Sequence, residues 1–396
     1  MDFSLTEEQR LLKDAVERFL EKNYSLDLRR KLIAERQTMS APIWEGFAAL
    51  GLLGVSLPAE YGGFGGKGIE TMLVAEAFGR HLVIEPYLST VVLAGGLVQT
   101  GAADWQKKIL LPRIVDGTML LAFAHFEPGS RYALNHVAAR ATPDGNNWIL
   151  TGEKTLVLHG PVAEKLIVSA RTSGSDDDPG GVTLFVVECS EENLAGQEYP
   201  LIDGTRALDV QLNGVRVGPE SVIGTLDGAL PLIERVVDRA MAALCAEAVG
   251  AMSRLHEMTV EYLKTRQQFG VPIGCFQVLQ HRAVDMLIQV EQARSMAMLA
   301  AGKVDATDRY ERRRAVTAAK EFIGRAGRFV AQQAIQLHGG MGMTDELAVG
   351  HYFKRLMAID ILFGDSAWQR RQFAELREDE VSGSQFLRPR STWKQI

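Results

Sequence analysis

The chain has 396 residues, of which 46% are hydrophobic and 23% charged, and its formal net charge is −6. This composition is typical of a soluble globular protein of two or three domains. The negative charge argues against nucleic acid or an anionic membrane surface as the main partner, and no apolar run reaches the roughly 18 residues of a membrane span.

The first region of the chain is predicted to be helical. Thr6 and Gln9 form a capping-box pattern, and apolar residues at helical spacing follow it. Similar amphipathic patterns predict further helices over residues 42–52, 69–80 and 105–116.

After Gly117 the pattern changes to short alternating or β-branched runs, which favour strands. Segments rich in Gly, Asp, Asn and Pro at 143–147 and 173–181 separate these runs and predict turns. The predicted strands cover residues 120–126, 136–142, 148–152, 165–170 and 182–188.

From about residue 227 helical periodicity returns in long segments, which indicate a helix bundle. The predicted helices are 230–266, 276–304, 310–337 and 345–362. We therefore predict an α+β fold that is mostly α: a helical domain over 1–117, a small barrel-like or sandwich-like β domain over 118–226, and a four-helix bundle with a tail over 227–396.

Two motifs in the last domain are candidate binding elements for a phosphate-containing ligand. Arg266 lies at the end of a long helical pattern and is followed by Gln268, Phe269 and Gly270. Gln336 lies near the end of another, and Gly339 and Gly340 follow it. A guanidinium group donates two hydrogen bonds to a phosphate, and glycines let backbone N–H groups approach an anion. The structural alternative for the first motif is an ordinary helix end, with Gly270 as cap.

These motifs, the order of the regions and the loop 58–68 resemble the acyl-CoA dehydrogenase family over essentially the whole chain. The resemblance implies FAD as cofactor and α,β-dehydrogenation of an acyl-CoA thioester. A carboxylate would remove the α-proton, flavin would accept the β-hydride, and an electron-transferring flavoprotein would be the electron acceptor. It also implies an oligomer, a dimer of dimers, in which one set of residues reaches a neighbour's flavin: Arg266, Gln268, Phe269, Gln336, Gly339 and Gly340.

Other chemistries have weaker support in the sequence. Gly63, Gly65 and Gly68 have the spacing of a dinucleotide fingerprint, but the segment 58–61 lies between them and the preceding apolar run, and no alternating strands and helices follow. No zinc-protease motif and no nucleophile elbow occur, and we predict no metal site.

The site that faces the chain's own flavin departs from the family pattern. The resemblance places Glu127, Ser130 and Leu158 beside the flavin, but Phe126 stands where the family has threonine and Leu158 where it has a hydroxyl. Gly364 stands where most members have the catalytic glutamate. Ala240 stands where the branched-chain members have theirs. The pattern predicts a subunit that completes a partner's site while its own is degenerate.

Two alternatives remain open. The chain could be a self-sufficient enzyme with Asp365, or less favourably Glu247, as the base; the structural readings are a helix cap for Asp365 and a polar partner for Glu247. It could also be a non-catalytic scaffold without flavin, although the motifs around Arg266 and Gln336 argue against that.

The sequence also supports predictions of the substrate class and of the cellular compartment. A dicarboxylyl-CoA such as pimeloyl-CoA would have a terminal carboxylate that Arg131 and His159 could pair with, although a solvated arginine is the plainer reading. Cys189, Cys245 and Cys275 are widely spaced and predict reduced thiols, and the acidic start lacks the regions of a signal peptide. We therefore expect a cytoplasmic protein.

Overall fold

Six α-helices form the N-terminal domain in the computed structural model, which describes residues 4–190 and 192–383. The predicted capping box is confirmed, because Thr6 Oγ1 accepts the Gln9 N–H at 3.2 Å and Gln9 Oε1 accepts the Thr6 N–H at 3.0 Å. A π-helical segment, Leu88–Gly95, leads directly into α5 and was not predicted. The helices are α1 Glu7–Asn23, α2 Leu26–Ala34, α3 Ala41–Ala49, α4 Gly68–His81, α5 Gly96–Gly101 and α6 Asp104–Val115.

The middle domain is one hydrogen-bonded sheet of eight strands in the order β6-β7-β3-β2-β4-β5-β8, and β1 pairs with β4 in parallel. All five predicted strands are present, although β3 extends well beyond the predicted run. The strands are β1 Leu121–Ala124, β2 Arg140–Asp144, β3 Asn147–Leu158, β4 Lys165–Arg171, β5 Val182–Glu188, β6 Leu194–Pro200, β7 Arg206–Val217 and β8 Val222–Ile223.

Two of these strands, β6 and β7, lie in a stretch where no strand was predicted. β6 is almost entirely exposed or half-buried, so it lacks the apolar alternation that indicates a strand. β7 carries Asn213 and Gly214 inside it, a pair that usually indicates a turn. Long antiparallel pairing with β3 holds β7 in the sheet, and antiparallel pairing with β7 holds β6 there.

The C-terminal domain is a bundle in which α9 packs against every other helix. Its helices are α7 Leu230–Thr265, α8 Gln277–Lys303, α9 Arg309–His338, α10 Ala348–Ile361 and α11 Ser366–Gly383. The first four match the predicted helices, and α11 adds a fifth. No helix in the described ranges is both long and apolar enough to cross a membrane.

A buried group of charges joins the three domains. Arg355 on α10 donates two hydrogen bonds to Glu247 on α7, at 2.5 and 2.8 Å, and a third to Asp203 before β7, at 2.7 Å. Burial alone would lower the pKa of Arg355, but the two carboxylates outweigh it and hold that pKa above its ordinary value. The ion pairs thus keep the bundle and the sheet in a fixed relation.

Arg29 on α2 extends this group into the N-terminal domain. It is buried and donates to the backbone carbonyls of Leu82, at 3.0 Å, and Asp203, at 2.5 Å. Its Nη1 lies 2.8 Å from Nδ1 of His351, which must therefore accept and carry no proton there. Burial and the nearby Arg29 charge both lower the pKa of His351.

We predict that Arg355→Met lowers the free energy of unfolding by about 3–5 kcal/mol, because it leaves two carboxylates buried without their partner. The measurement is the shift of the urea unfolding midpoint, followed by circular dichroism. Arg325→Met is the matched control: Arg325 is half-exposed, and its ion pair with Glu321 should contribute less than about 1 kcal/mol. Equal shifts for the two variants would contradict this role of Arg355.

Candidate active site

A cavity of about 300 Å³ lies where the sheet meets the bundle. Its walls are the loop after β1, the end of β3, the π-helical segment and the turn between α10 and α11. Most of the lining is apolar, including Leu93, Phe126, Leu158, Leu362 and Phe363. A cavity of this size and character is suited to a flat or chain-like organic ligand.

Unusual backbone geometry is concentrated around this cavity. Arg131, Leu156 and Phe363 line it and have φ of 49°, 54° and 58°, and His159 beside it has φ of 55°. Non-glycine residues in this left-handed region are strained and often lie at functional sites. The strain therefore supports a binding role for the cavity.

The loop after β1 is held from inside by Glu127 and Ser130. The Glu127 carboxylate accepts the N–H groups of Ala138 and Ala139, at 2.6 and 3.1 Å, and the Lys154 ammonium at 2.5 Å. Ser130 Oγ donates to the Glu127 carbonyl at 2.8 Å and accepts its N–H at 3.2 Å. The two polar residues among the three that were predicted to lie beside the flavin thus use these groups to hold the loop.

Lys154, which the sequence analysis did not identify, anchors that carboxylate. It is wholly buried, and burial lowers the pKa of Lys154 to about 8 in spite of Glu127. It also donates to Ser169 Oγ at 3.0 Å and to the His125 carbonyl at 3.2 Å. A single lysine in a strand gives no sequence signal of this role, because only the folded sheet buries it.

The turn between α10 and α11 has no room for a side chain at Gly364. Gly364 has φ of 108°, which L-residues rarely adopt. A Cβ there would lie 2.5 Å from Trp368 Cδ1 and 2.6 Å from Gln369 Nε2. Two hydrogen bonds also hold the turn in place. The buried Lys320 donates to the Gly364 carbonyl at 3.1 Å, and Gln369 Nε2 donates to the Phe363 carbonyl at 2.8 Å.

The two candidate bases both have other partners. Asp365 Oδ1 accepts the Trp368 N–H at 2.8 Å at the start of α11, the cap arrangement, and Asp365 does not line the cavity. Glu247 is held by Arg355 and lines a neighbouring, smaller cavity. Ala240 is buried and has no polar side chain. Among the described residues that line the main cavity, Glu127 is the one carboxylate.

His159 is close to the cavity but is not a cationic group. Its Nε2 lies 3.0 Å from the Ile84 carbonyl and its Nδ1 lies 3.1 Å from Ser89 Oγ. Because a carbonyl only accepts, Nε2 carries the proton. Burial lowers the pKa of His159 to about 4, so the imidazole is neutral near pH 7 and cannot pair electrostatically with a carboxylate.

The predicted cofactor motifs lie elsewhere, on the surface of the bundle. Arg266 ends α7 and is exposed, and within the described ranges its side chain makes no hydrogen bond or ion pair. Gln268 is exposed in the short strand β9, Gln267–Gln268, which pairs with β10, Val271–Pro272. Phe269 between these strands is 91% exposed and has φ of 55°.

The second motif is exposed as well. Gln336, Gly339 and Gly340 lie at the end of α9, and no atom would obstruct a Cβ at either glycine. None of the six motif residues lines the main cavity. An available guanidinium and unobstructed backbone fit a pyrophosphate and nucleotide, as in FAD. The main cavity fits a flat ring by its shape, but Phe126 and Leu158 offer it no hydrogen-bond donor from their side chains.

Three domain families match consecutive parts of the chain. They are acyl-CoA dehydrogenase, N-terminal domain, over residues 6–118; acyl-CoA dehydrogenase, middle domain, over 122–215; and acyl-CoA dehydrogenase, C-terminal domain, over 230–376.

Individual relatives are similar over nearly the same span. Acyl-CoA dehydrogenase FadE12 of Mycobacterium tuberculosis is 30% identical, with 88% of this chain and 90% of that protein covered. Caffeyl-CoA reductase-Etf complex subunit CarC of Acetobacterium woodii is 25% identical, with 92% and 97% covered. Among solved structures, a chain of the ChsE4-ChsE5 complex from Mycobacterium tuberculosis has a TM-score of 0.86 and 27% identity, with 96% and 99% covered.

We predict that His159 makes the protein less stable as the pH falls from about 6.5 toward 4. The unfolded chain takes up this proton near pH 6.5 and the folded one only near 4, so folding is favoured above that window and weakened within it. His159→Asn, which tolerates a positive φ, should reduce the loss by about 1 kcal/mol per pH unit. Unfolding midpoints at pH 6.5 and 5 measure this loss of stability, and His281→Asn, at an exposed histidine, is the control. Identical pH profiles for wild type and His159→Asn would rule out a contribution of His159.

Proposed function

The chain belongs to the acyl-CoA dehydrogenase family of FAD-dependent enzymes, and we propose that it acts as the subunit that completes the FAD site of a larger homologous partner. The reaction of the pair is flavin-dependent α,β-dehydrogenation of an acyl-CoA. The chain's own cavity would then be a retained but non-catalytic copy of the site.

The observation that carries this proposal is that the cavity holds no available base. The α-proton of a thioester is weakly acidic and needs a carboxylate within hydrogen-bond reach. Glu127 in the cavity wall is already bound by Lys154 and two backbone N–H groups. Gly364 cannot accept a side chain in its present conformation. Asp365 and Glu247 have their own partners outside the cavity.

The exposed motifs support contact with another subunit. Arg266 and Phe269 face solvent together with apolar side chains that a partner would cover. Exposed apolar groups rimmed by polar ones are typical of protein interfaces. Exposed apolar side chains close to the motifs in sequence or on the following helix α8 are Phe269, Val271, Val278, Val284, Leu287, Ile288, Met341 and Met343.

We propose that the oligomer is mixed. One solved relative is a complex of two differently named chains, ChsE4 and ChsE5. We also propose a similarity to the small subunit of pimeloyl-CoA dehydrogenase, on the segments 63–66, 232–238, 243–250, 352–355 and 362–365. We propose a dimer of dimers formed with the larger homologue. We also propose an electron-transferring flavoprotein as electron acceptor; CarC is named as a subunit of an Etf complex.

We propose a cytoplasmic location as well, and the three free thiols support it.

In this arrangement each motif residue has a definite task. FAD, when bound, supplies the acceptor for the hydride from the acyl chain. The Arg266 guanidinium binds its pyrophosphate and neutralises charge there. Gln336 and the backbone at Gly339 and Gly340 hold the adenosine end, and Phe269 shields the cofactor from water. The partner's carboxylate holds the proton that leaves the α-carbon.

For the substrate we propose a dicarboxylyl-CoA such as pimeloyl-CoA. Arg131 is exposed and is the basic side chain in the lining of the cavity, within the described part of the chain. It could pair with a terminal carboxylate at the solvent side, whereas neutral His159 could not.

The alternative is a self-sufficient homo-oligomer with Asp365 as base. It requires Asp365 to leave the N–H of Trp368 and turn toward the cavity. A scaffold without flavin is a more remote alternative, because the exposed Arg266 and glycine motifs would then have no ligand to bind.

The decisive test is the flavin content of the purified chain alone and together with its larger homologue. We expect little FAD in the chain alone, no bleaching of any bound flavin by pimeloyl-CoA under anaerobic conditions, and both FAD binding and bleaching in the pair. Stoichiometric flavin that acyl-CoA bleaches in the chain alone would overturn the proposal.

Variants in the pair assign the tasks. Arg266→Ala should weaken FAD retention about tenfold or more, because it removes a charge-assisted bond to phosphate. Lys264→Ala, also exposed near the end of the same helix, is the matched control.

Asp365→Asn keeps a good helix cap and should leave turnover unchanged. Loss of turnover in Asp365→Asn would favour the self-sufficient enzyme.

Arg131→Ala tests the substrate proposal. If Arg131 pairs with the terminal carboxylate of a thioester bound in this chain's own cavity, the variant should weaken binding of pimeloyl-CoA about fivefold, the range of a partly exposed ion pair, and leave binding of heptanoyl-CoA unchanged. Calorimetry of the chain with each thioester measures both affinities. An equal fall for both substrates would contradict a role in recognising the carboxylate.

A further inference from the structure

A second, smaller cavity lies beside the main one. Its volume is about 40 Å³, room for roughly three water-sized groups at 10–15 Å³ each. Leu158 and Leu362 line both cavities and form the partition between them. We call this smaller cavity, lined in addition by Glu85, Tyr87 and Phe78, the inner chamber.

Two buried polar atoms, on residues that line the inner chamber, have no hydrogen-bond partner in the described part of the chain. Glu85 is 4% exposed and Tyr87 is 3% exposed. Glu85 Oε1 accepts the Ser40 N–H at 3.3 Å, but Glu85 Oε2 and the Tyr87 hydroxyl have no partner among the described residues. Leaving such a group unpaired destabilises a fold by about 1–3 kcal/mol. Two in one chamber, next to a ligand-sized cavity, indicate that something outside the chain pairs with them.

The charges around the inner chamber limit what that ligand is. Arg355 also lines it, but Glu247 and Asp203 already neutralise the guanidinium. Burial raises the pKa of Glu85 to about 7, so the unbound carboxyl group is close to half-protonated at that pH. A free carboxylate would add negative charge to this setting and is disfavoured. A dicarboxylyl chain would have to return its terminal group to Arg131 on the solvent side.

A hydroxyl group meets the requirement in full. It can donate to Glu85 Oε2 and accept from the Tyr87 hydroxyl at the same time. It is small enough for the chamber, and the apolar partition would contact the carbon chain that carries it.

We propose that the inner chamber binds a hydroxyl group on the distal part of an acyl chain whose remainder occupies the main cavity, through Glu85 and Tyr87. The acyl-CoA class of this ligand rests on the function proposed above. The chain by itself should therefore distinguish hydroxylated from plain acyl-CoA thioesters, whether or not it oxidises them.

The test is binding of matched thioester pairs to the full chain, measured by calorimetry. Butyryl-CoA, octanoyl-CoA and decanoyl-CoA are each compared with their ω-hydroxy derivatives, since chain length decides which one reaches the chamber. In at least one pair the hydroxylated ligand should bind on the order of tenfold more tightly than the plain one. This is the gain expected when two buried hydrogen bonds replace hydrogen bonds to water. Tyr87→Phe and Glu85→Leu should each remove most of this preference.

Tyr352→Phe is the matched control. The Tyr352 hydroxyl is also buried, but it donates to the Arg80 carbonyl, and Tyr352 does not line the chamber. Tyr352→Phe should lower the thermal midpoint and keep the ligand preference. Tyr87→Phe should leave the midpoint unchanged or raise it, because the hydroxyl it removes has no partner.

Equal affinity within every pair, or no detectable binding of any thioester, would overturn the proposal and leave buried water as the occupant. So would a preference that survives Tyr87→Phe and Glu85→Leu together. These results are independent of flavin content and turnover in the pair, so this proposal and the proposed function can fail separately.

Discussion

The arrangement of the three domains depends on one buried cation. Arg355 comes from the bundle and binds Glu247 of the bundle and Asp203 of the middle domain, and the Asp203 carbonyl in turn accepts from Arg29 of the N-terminal domain. Ion pairs of this kind add little net stability compared with apolar packing, but they are strongly directional and tolerate no change of register. The main cavity lies where these domains meet, so the relative positions of the domains determine its shape.

The sites of the molecule differ in what they retain. The surface motifs of Arg266 and Gln336 keep their side chains accessible, which is what a contact between subunits requires. The turn of Gly364 is the opposite: Lys320, Gln369 and Asp365 all use their polar groups to hold it closed. The polar atoms of Glu127 and Ser130 are likewise directed into the protein. The polar groups around the chain's own cavity thus hold the structure together, whereas those of the surface motifs stay accessible.

The sequence predicted the helices well because their apolar periodicity runs over many turns, and α7 to α10 agree with the predicted segments within a few residues. It did not predict β6, whose residues carry no apolar alternation, or β7, whose apolar alternation is interrupted at Asn213 and Gly214. The residues that matter most for ligand chemistry were harder still. Lys154, Glu85 and Tyr87 occur in unremarkable local sequence, and their character comes from burial among residues distant in the chain. The glycine in place of the expected glutamate was visible in the sequence, but the reason why no side chain fits there was not.

The closed turn at Gly364 also restricts how this chain can change over evolutionary time. A single substitution to glutamate would bring Cβ within 2.5 Å of Trp368 and impose a backbone angle that other residues avoid. If a partner supplies the base, as proposed, a glutamate at this position therefore needs Trp368 or Gln369 to change as well. Under that proposal, a lineage that has filled this space does not regain the base in one step and stays dependent on the protein that supplies it.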